Sequence, residues 1–295
     1  MNEQHQCKLC ASWGDDNAAL KQIGGVGTYP LLKCDSCSIE MIYPQPDDAT
    51  LANIYTQQYY NAWGLQEDKE LVGKMKRSTF SKLLKKLKVH PQATLLDCGA
   101  ATGFLMECAR SRGASVYGIE LSEFGADSIA KTFGQDRVFR GQIEDSSFAD
   151  VSEGTFDIIT MTDFIEHTRD PISVLKKAHS LLARNGRLLI TTPNASSFSR
   201  KVMGKYWPHY KLEHLYYFSP QNLNKLLEHL GFQIDIAAKA RKSMNLQYIS
   251  NQLTIYPLPV ATQLLKLTYR LLPRRISEML FPTFFGEMLI VATKQ

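Results

Sequence analysis

The sequence predicts an α/β protein with a doubly wound, mostly parallel sheet, preceded by a small cysteine-bearing module. Short apolar segments alternate with helical segments from residue 94 onward, and this alternation is typical of a parallel sheet covered by helices. Four of the six cysteines lie in two close pairs within the first 37 residues. A chain of 295 residues has room for one large domain and one small accessory domain.

Composition excludes several classes of protein. Hydrophobic residues make up 44% of the chain and charged residues 21%, as in ordinary globular proteins. No apolar run reaches the roughly 18 residues that a transmembrane helix needs. The N-terminal residues MNEQHQCKLC lack the apolar core of a secretory signal. We therefore expect a cytoplasmic protein.

The formal net charge of +5 is unevenly distributed. Residues 1–60 carry three lysines and seven acidic residues, whereas residues 69–88 carry eight basic residues and one acidic residue. Such a basic run is either a nucleic-acid-binding surface or the solvated face of a helix. The second interpretation is favoured because apolar residues recur at helical spacing within the run, at Phe80, Leu83, Leu84 and Leu87.

The N-terminal cysteines form two CxxC pairs separated by 23 residues. Two such pairs can supply a tetrahedral thiolate cage for Zn²⁺, and disulfides are the poorer explanation in a cytosolic chain. We therefore predict a structural zinc module over residues 1–43, in which the metal supplies much of the folding energy. Its predicted ligands are Cys7, Cys10, Cys34 and Cys37. The other two cysteines, Cys98 and Cys108, are predicted to be small buried residues.

The remaining elements follow in order along the chain. Residues 44–68 begin with Pro44 and Pro46 and continue into an aromatic stretch, which predicts a linker or a lid. A helix is expected over residues 71–89. Strands are then predicted at 94–98, 115–121, 137–141, 156–162, 187–193, 232–238 and 287–294. Helices are predicted between them at 103–113, 124–133, 171–186 and 220–231.

A glycine-rich loop follows the first of these strands, in the order Asp97, Gly99, Ala101 and Gly103. Ligands of such sheets bind at the carboxyl ends of the strands, where glycines allow close approach of the backbone. The next helix begins there and offers free N–H groups. Glu120 ends the second strand, and an acid at that place can accept hydrogen bonds from both ribose hydroxyls.

The ligand of this loop is not predicted to be a dinucleotide. A pyrophosphate site would prefer the tighter GxGxxG spacing, and the carboxylate of Asp97 would repel it. The same carboxylate would attract the amino group of a bound amino acid. S-adenosylmethionine carries an amino group, a carboxylate and a ribose in that order, and we predict it as the ligand.

Several segments resemble class I S-adenosylmethionine-dependent methyltransferases, and the ubiquinone-biosynthesis O-methyltransferase branch is the most similar. They are LLDCGAATGFLMECA, VYGIELS, VFRGQIEDSSF, FDIITMTDFIEHTRDP and GRLLITTPN, within residues 82–232. The resemblance implies a Rossmann-like, seven-stranded methyltransferase domain over residues 69–295, beside a zinc-ribbon-like module. Family members usually have a glycine where this chain has Ala101, a departure that matters only if the backbone there needs a positive φ.

The resemblance also implies a cofactor site, composed of Asp97, Gly99, Ala101, Gly103, Glu120, Leu121, Gln142, Ile143 and Thr162. The loop would frame the methionine moiety, Glu120 would hold the ribose and Leu121 would pack on the adenine. Gln142 and Ile143 would lie at the adenine edge, although many relatives have an acid in place of Gln142. Thr162 would close the site after the fourth strand.

A second resemblance is to two-module methyltransferases of bacterial glycan and secondary-metabolite pathways. The stretch IYPQPDDATLANIYTQQYY is similar to their connecting segment, and YWPHYKLEHLYYFSPQNLNKLLEHLGF is similar to their acceptor-side segment. This resemblance implies a small-molecule or glycan acceptor, with a sugar nucleotide or a lipid-linked saccharide as the expected class.

Methyl transfer to a hydroxyl needs positioning and a proton acceptor, which is often histidine. His167 follows the fourth strand and His214 follows the fifth, and both are candidate bases or packed structural residues; His209 lies near the same rim. In ubiquinone-type relatives, the segment that matches residues 163–167 of this chain binds a divalent cation. Mg²⁺ on Asp163, Glu166 and His167 is therefore an alternative to a helix-capping acid with a packed histidine.

Residues 244–284 form a predicted helical insertion between the last two strands, apolar and aromatic with interspersed basic residues at Lys266, Arg270, Arg274 and Arg275. It can serve as an acceptor lid, a homodimer interface or a peripheral membrane contact.

Two other functions stay open. An RNA methyltransferase would use the basic helix, but the zinc module is acidic and TDFIEH lacks the Asn/Asp-Pro-Pro-aromatic motif of base methylation. A non-catalytic scaffold that binds the cofactor is the second alternative. Nucleic acid is thus not the expected partner.

Overall fold

The structure is a computed structural model that describes residues 6–54, 69–255 and 279–295. Its strands, numbered in chain order, are β1 (Leu20–Val26), β2 (Tyr29–Cys34), β3 (Glu40–Ile42), β4 (Thr94–Cys98), β5 (Ser115–Glu120), β6 (Val138–Arg140), β7 (Phe156–Thr162), β8 (Leu182–Pro193), β9 (Tyr216–Tyr217), β10 (Phe232–Lys239), β11 (Lys242–Met244), β12 (Phe281–Thr283) and β13 (Glu287–Lys294). Its α-helices are α1 (Lys8–Ser12), α2 (Asp48–Ile54), α3 (Lys69–Lys86), α4 (Phe104–Arg110), α5 (Glu123–Phe133), α6 (Pro171–Leu181), α7 (Phe198–Met203), α8 (Pro220–His229) and α9 (Leu246–Ile255).

The central sheet has seven strands in the order β10-β13-β8-β7-β4-β5-β6. Neighbouring strands from β8 to β6 pair in parallel, whereas β13 pairs antiparallel with both β8 and β10. The chain order reverses between β4 and β7, and this reversal opens a crevice at the carboxyl ends of these strands. The predicted α/β class and the seven-stranded Rossmann-like sheet are confirmed.

Helix starts agree with the capping signals in the sequence. The side chain of Asp170 accepts the N–H groups of Ile172 and Ser173 at the start of α6, and Pro171 occupies its first turn. At its end, however, α6 stops at Leu181 rather than at the predicted Gly186. The chain turns into an irregular start of β8, where Asn185 adopts a left-handed φ of 60°.

The core lies on both faces of the central sheet. Helices α3 and α4 cover one face, where Leu84, Leu95 and Leu105 are buried. Helix α6 covers the other face, where Phe156 and Leu175 are buried. Full burial of such side chains stabilises the fold by roughly 1.5–3 kcal/mol each, and it fixes the edge of the sheet on which the loops lie.

The N-terminal module forms a second, four-stranded sheet in the order β1-β2-β3-β9. Strand β9 comes from the large domain and pairs antiparallel with β3 through Glu40 opposite Tyr217 and Met41 opposite Tyr216. The buried side chains of the module belong to the same hydrophobic cluster as those of the large domain. The predicted zinc-ribbon-like fold is thus present, and it shares both a sheet and a core with the rest of the protein.

The predicted insertion begins and ends in a two-stranded ladder between β11 and β12, and α9 follows β11. Ser243 fixes this ladder to α3, because its N–H donates to Thr79 Oγ1 at 2.8 Å and its Oγ accepts from Lys82 Nζ at 2.8 Å. The four basic residues between 266 and 275 lie outside the described residues, and so does the 55–68 part of the predicted linker or lid at 44–68. Among the described helices, none has the length and apolarity to cross a bilayer.

Candidate active site

Asp97 lies at the carboxyl end of β4, at the start of the glycine-rich loop. Its side chain is buried, and Thr160 Oγ1 of β7 donates a hydrogen bond to its Oδ1 at 2.7 Å. Burial raises the pKa of Asp97 to about 7, and the neighbouring Glu120 acts in the same direction, whereas the hydrogen bond from Thr160 opposes the shift. A cationic ligand beside it would therefore select the ionised carboxylate at neutral pH.

Glu120 connects the end of β5 to the glycine-rich loop. Its Oε2 accepts the N–H of Ala101 at 2.8 Å, and its Oε1 accepts the N–H of Ser122 at 2.9 Å. A carboxylate has about four lone-pair sites, so two backbone donors do not exhaust its capacity for ribose hydroxyls. The contact of Glu120 with the ribose stays a prediction from the sequence. The sequence did not predict that this side chain also shapes the loop.

The glycine-rich loop adopts left-handed backbone conformations at three alternate positions. The φ angles are 72° at Gly99, 49° at Ala101 and 85° at Gly103. The departure at Ala101 thus has a cost, since a non-glycine residue in this region is strained by roughly 1–2 kcal/mol. Position 101 is where the family pattern has glycine, and the structure gives the physical reason for that pattern.

Replacing Ala101 by glycine is expected to raise the free energy of unfolding by up to about 1 kcal/mol. Relief of the strained φ, about 1–2 kcal/mol, outweighs the roughly 0.5–1 kcal/mol of added unfolded-state entropy. The neighbouring Ala100→Gly is the matched control, because position 100 does not have a positive φ and should lose stability. Urea unfolding of both variants measures the difference, and equal destabilisation by both would contradict the strain argument.

Gly125, in the first turn of α5, is a site residue that sequence reasoning missed. A Cβ added there would lie 2.6 Å from the carbonyl oxygen of Ala101 and 2.7 Å from Cγ of Glu120. Any side chain would therefore displace the loop or the carboxylate. A glycine inside a helix is the signal that could have revealed this close approach.

Lys76 is a second residue that sequence reasoning missed, because it was included in the solvated face of the basic helix. It lies on α3, half-buried, and lines a cavity together with Thr162, Asp163 and Lys242. Among the residues that the structure describes, its ammonium group has no ion-pair partner within 4 Å. Burial lowers its pKa, and the charges of Asp163, Glu287 and Asp97 oppose that shift.

The residues predicted to contact adenine differ in accessibility. Leu121 is 60% exposed at the end of β5, and Gln142 is exposed. Ile143 is fully buried in the core, so only its backbone is available to a ligand. Phe124, which sequence reasoning did not single out, is 40% exposed in the first turn of α5.

The candidate catalytic histidines lie together although 47 positions separate them. The ring centroids of His167 and His214 are 4.7 Å apart and perpendicular, and His209 stacks 6.3 Å from His214. Burial lowers the pKa of His167 to about 4 and that of His214 well below its usual range. Both imidazoles are therefore neutral at pH 7.

Glu166 completes this cluster from the same 3-10 turn as His167. Its Oε2 accepts a hydrogen bond from Thr192 Oγ1 at 2.9 Å, and burial raises its pKa to about 8. Within the described part of the chain, Glu166 Oε1 and His214 Nδ1 are buried without a hydrogen-bond partner. One ligand atom each from Glu166, His167 and His214 lies within 4.8 Å of the others.

The grouping of Asp163 with Glu166 and His167, which the resemblance offered as an alternative, is not the one that the structure brings together. Asp163 adopts a left-handed φ of 52°, and its carboxylate pairs with Lys242 Nζ at 2.7 Å. Lys242 also binds Glu287 at 2.6 Å. Asp163 is thus held by β11, and His214 takes the third place in the cluster. A set with two imidazoles suits zinc or another transition metal better than Mg²⁺.

The four predicted zinc ligands form one cluster, with all four sulfur atoms within 4.8 Å of one another. Cys7 Sγ and Cys37 Sγ are 3.8 Å apart, and Cys10 Sγ and Cys34 Sγ are 3.6 Å apart. A tetrahedron with Zn–S bonds of about 2.3 Å has edges of about 3.8 Å, so the geometry fits a zinc ion. The N–H of Cys37 also donates to Cys34 Sγ at 3.4 Å.

Fold and loop together are those of the class I methyltransferases. A family model described as a methyltransferase domain matches residues 69–236, which is more than half of the chain. The chain belongs to this methyltransferase family.

Curated relatives cover less of the chain. A ubiquinone biosynthesis O-methyltransferase of Pseudomonas paraeruginosa is 33% identical over 103 residues, which span 34% of this chain and 44% of that protein. The protein of the same name from Marinobacter nauticus is 26% identical over 151 residues, which span 47% of this chain and 63% of that protein. The chain therefore matches less than two thirds of the length of these relatives.

Solved structures agree on the fold. The 1,6-didemethyltoxoflavin-N1-methyltransferase of Burkholderia thailandensis, solved with bound 1,6-didemethyltoxoflavin and S-adenosylhomocysteine, superposes with a TM-score of 0.52 at 15% identity, covering 94% of this chain and 99% of that chain. An S-adenosylmethionine-dependent methyltransferase of Thermotoga maritima gives a TM-score of 0.52 at 17% identity, with coverage of 83% and 97%. At these identities the likeness shows the fold alone.

Proposed function

We propose that the protein transfers the methyl group of S-adenosylmethionine to a hydroxyl oxygen of a small-molecule or glycan acceptor. The observation that carries the proposal is the order of groups along one edge of the sheet. Glu120 ends β5, Asp97 ends β4, and the imidazoles of His167 and His214 lie together beyond β7. The acceptor class that we propose is a sugar nucleotide or a lipid-linked saccharide.

Four side chains would hold the cofactor. Ionised Asp97 binds the amino group and Glu120 binds the ribose, while Leu121 packs on the adenine. Lys76 would bind the carboxylate of the methionine moiety. Its charge is close enough to interact with that of Asp97, and the amino group and the carboxylate of an amino acid are bonded to the same carbon. S-adenosylmethionine supplies the activated methyl group, and these residues orient it.

His214 is our choice for the base. The acceptor oxygen forms a bond to the methyl carbon while the carbon–sulfur bond breaks, and the hydroxyl proton passes to an imidazole nitrogen. His214 Nδ1 is buried without a partner in the described part of the chain, and His167 packs edge-on against the ring.

A divalent cation is the competing occupant of this cluster. Glu166, His167 and His214 would hold it, and it would supply Lewis-acid activation of the acceptor hydroxyl. Metal analysis separates the two cases, because a second metal per chain in addition to the zinc would favour the cation.

The test is label transfer from S-[methyl-³H]adenosylmethionine to a fractionated extract of the source cells. Label in sugar nucleotides or lipid-linked saccharides is expected, and His214→Asn should lower it about 10²–10⁴-fold. His229→Asn, an exposed histidine of α8, is the matched control. Label in RNA, or in an acceptor of ubiquinone biosynthesis such as the relatives' name suggests, would overturn the acceptor class. Cofactor binding without any label would favour the scaffold.

Cofactor affinity is expected to depend on pH through Asp97. The bound amino group favours the ionised carboxylate, whose pKa in the free protein is about 7. Binding of S-adenosylhomocysteine should therefore tighten as pH rises toward 7 and weaken up to tenfold per pH unit below it. Calorimetry between about pH 5.5 and 7.5 measures the slope, which Asp97→Asn should remove. An unchanged slope in that variant would assign the pH dependence to another group.

A further inference from the structure

We propose that one exposed face of the large domain docks on the surface of an anionic lipid bilayer. The face, called here the basic apolar face, comprises Phe198, Lys201, Val202, Lys205, Tyr206, Phe284 and Phe285. It is built from α7, the turn that follows it and the loop between β12 and β13. The inference does not rest on methyl transfer, so it stands or falls separately from the proposed function.

Large apolar side chains project from this face into solvent. Phe198 is 79% exposed, Val202 is 67% exposed and Tyr206 is 61% exposed. Their spacing of four residues places Phe198 and Val202 on one side of α7, and Tyr206 continues the row. Contiguous apolar surface of this kind is uncommon on soluble proteins and typically marks an interaction site.

The fold itself does not use these side chains, because the opposite side of the segment already anchors it. Trp207 is fully buried in a cluster with Ile42 and Tyr217, and Met203 packs against that cluster. Arg200 turns inward to bind Glu40 Oε1 at 2.8 Å. The outer row is therefore available to a partner without any rearrangement of the core.

The loop before β13 adjoins α7 and extends the face. Ser199 Oγ donates to the carbonyl oxygen of Phe285 at 3.3 Å. Phe285 is 43% exposed and Phe284 is 36% exposed, and the ammonium of Lys239 lies 5.1 Å from the ring centre of Phe284. Two segments that are distant in sequence are thus adjacent in space, and both expose aromatic side chains.

The charges of this face have a single sign. Its two charged residues, Lys201 and Lys205, are basic, and residues 195–212 and 279–286 contain no acidic residue. Lys201 and Lys205 are exposed beside the apolar row. Aromatic and aliphatic side chains bordered by lysines are the composition of surfaces that insert into the headgroup region of anionic bilayers. A second copy of the chain would instead bring lysines against lysines, which favours the bilayer over self-association.

The face also borders the candidate active site. The ring of His209 lies within hydrogen-bond distance of the carbonyl oxygen of Phe285, with Nε2 at 3.3 Å, and the same ring stacks on His214. Docking through this face would therefore bring the histidine cluster to the level of the lipid headgroups.

Vesicle co-sedimentation of the full chain tests the proposal. The protein is expected to bind vesicles of phosphatidylcholine mixed with phosphatidylglycerol, and to bind pure phosphatidylcholine much more weakly. Lys201→Gln combined with Lys205→Gln should weaken binding roughly 25-fold, at about fivefold per lysine. Phe198→Ser combined with Val202→Ser should weaken it at least about tenfold. Ile23→Ser, an apolar residue 44% exposed on β1, is the matched control and should bind like the wild type.

Unchanged affinity for S-adenosylhomocysteine verifies that each variant is folded. Absence of binding to the mixed vesicles at low salt would overturn the proposal. So would equal binding to neutral and anionic vesicles, or equal loss in the Ile23→Ser control. A dimer in sedimentation that the Phe198 and Val202 substitutions dissociate would also overturn it, because the face would then contact a second copy.

Discussion

Breaking the predicted zinc cage is expected to unfold the N-terminal module and to release the strand that follows His214. Cys34→Ser would remove one thiolate from the proposed site, and a structural zinc contributes on the order of 10 kcal/mol to the folding of such modules. Whole domains are stable by only about 5–15 kcal/mol, so the module cannot remain folded without the metal. Cys10 and Cys34 are fully buried in the main hydrophobic cluster, and the loss therefore extends beyond the module.

Backbone hydrogen bonds connect the module to the segment that carries His214. The N–H of Ile42 donates to the carbonyl of Leu215 at 3.0 Å, and the N–H of Leu215 donates to the carbonyl of Glu166 at 2.8 Å. The amide of Asn222 also donates to the carbonyl of Cys37 at 3.3 Å. Strand β3 of the module thus holds the segment that carries His214 against the turn that carries Glu166.

Hydrogen exchange and metal analysis measure the effect. In Cys34→Ser, zinc content should fall to near zero and amides 213–218 should lose protection, whereas β4 and β5 should stay protected and cofactor binding should persist. Cys108→Ser is the matched control, because Cys108 is a buried thiol outside the cage that contacts Ser81 and Arg77, and it should retain zinc. Full protection of 213–218 in the metal-free protein would show that the module is not what positions His214.

Local sequence patterns predicted the parts of this protein that local chemistry determines. The CxxC spacing indicated four sulfur atoms in one cage, and the cap residues Asp170 and Ser219 marked helix starts, since both features depend on neighbours a few residues away. The same holds for the apolar strands of the central sheet. These features follow from side-chain chemistry and backbone geometry within one segment.

Contacts between distant segments could not be predicted in the same way. Strand β9 has only two residues and pairs with a strand about 175 positions earlier, which no periodicity reveals. A cation site of Asp163 with Glu166 was one of two interpretations, but Lys242 of β11, 79 positions later in the chain, pairs with Asp163 instead. The role of Gly125 depends on how closely α5 approaches the loop, and that distance is a property of tertiary packing.

The second large effect is expected at Glu120, where Glu120→Ala should reduce cofactor affinity at least about a hundredfold. The substitution removes the acceptor of two backbone hydrogen bonds, and each bond to a charged group contributes roughly 1.5–3 kcal/mol. The loop would lose the conformation that brings Gly99 and Gly103 to the ligand. Calorimetric titration with S-adenosylhomocysteine measures the change. Glu123→Ala is the matched control, because Glu123 lies three residues away but is exposed, and in the described part of the chain its ion pair is with Arg140 at 3.2 Å.

A further comparison separates the two roles of Glu120, since loop support and ribose binding predict different results with a 2′-deoxy analogue of S-adenosylhomocysteine. Wild-type protein should bind this analogue about tenfold more weakly than the parent compound, because a buried carboxylate loses one hydroxyl donor. In Glu120→Gln the difference between the two ligands should shrink, whether or not the loop is displaced. The opposite result is the same ratio of the two ligands' affinities in Glu120→Gln as in the wild type. Glu120 would then support the loop without contacting the ribose, and the ribose site would lie elsewhere along the edge of β5.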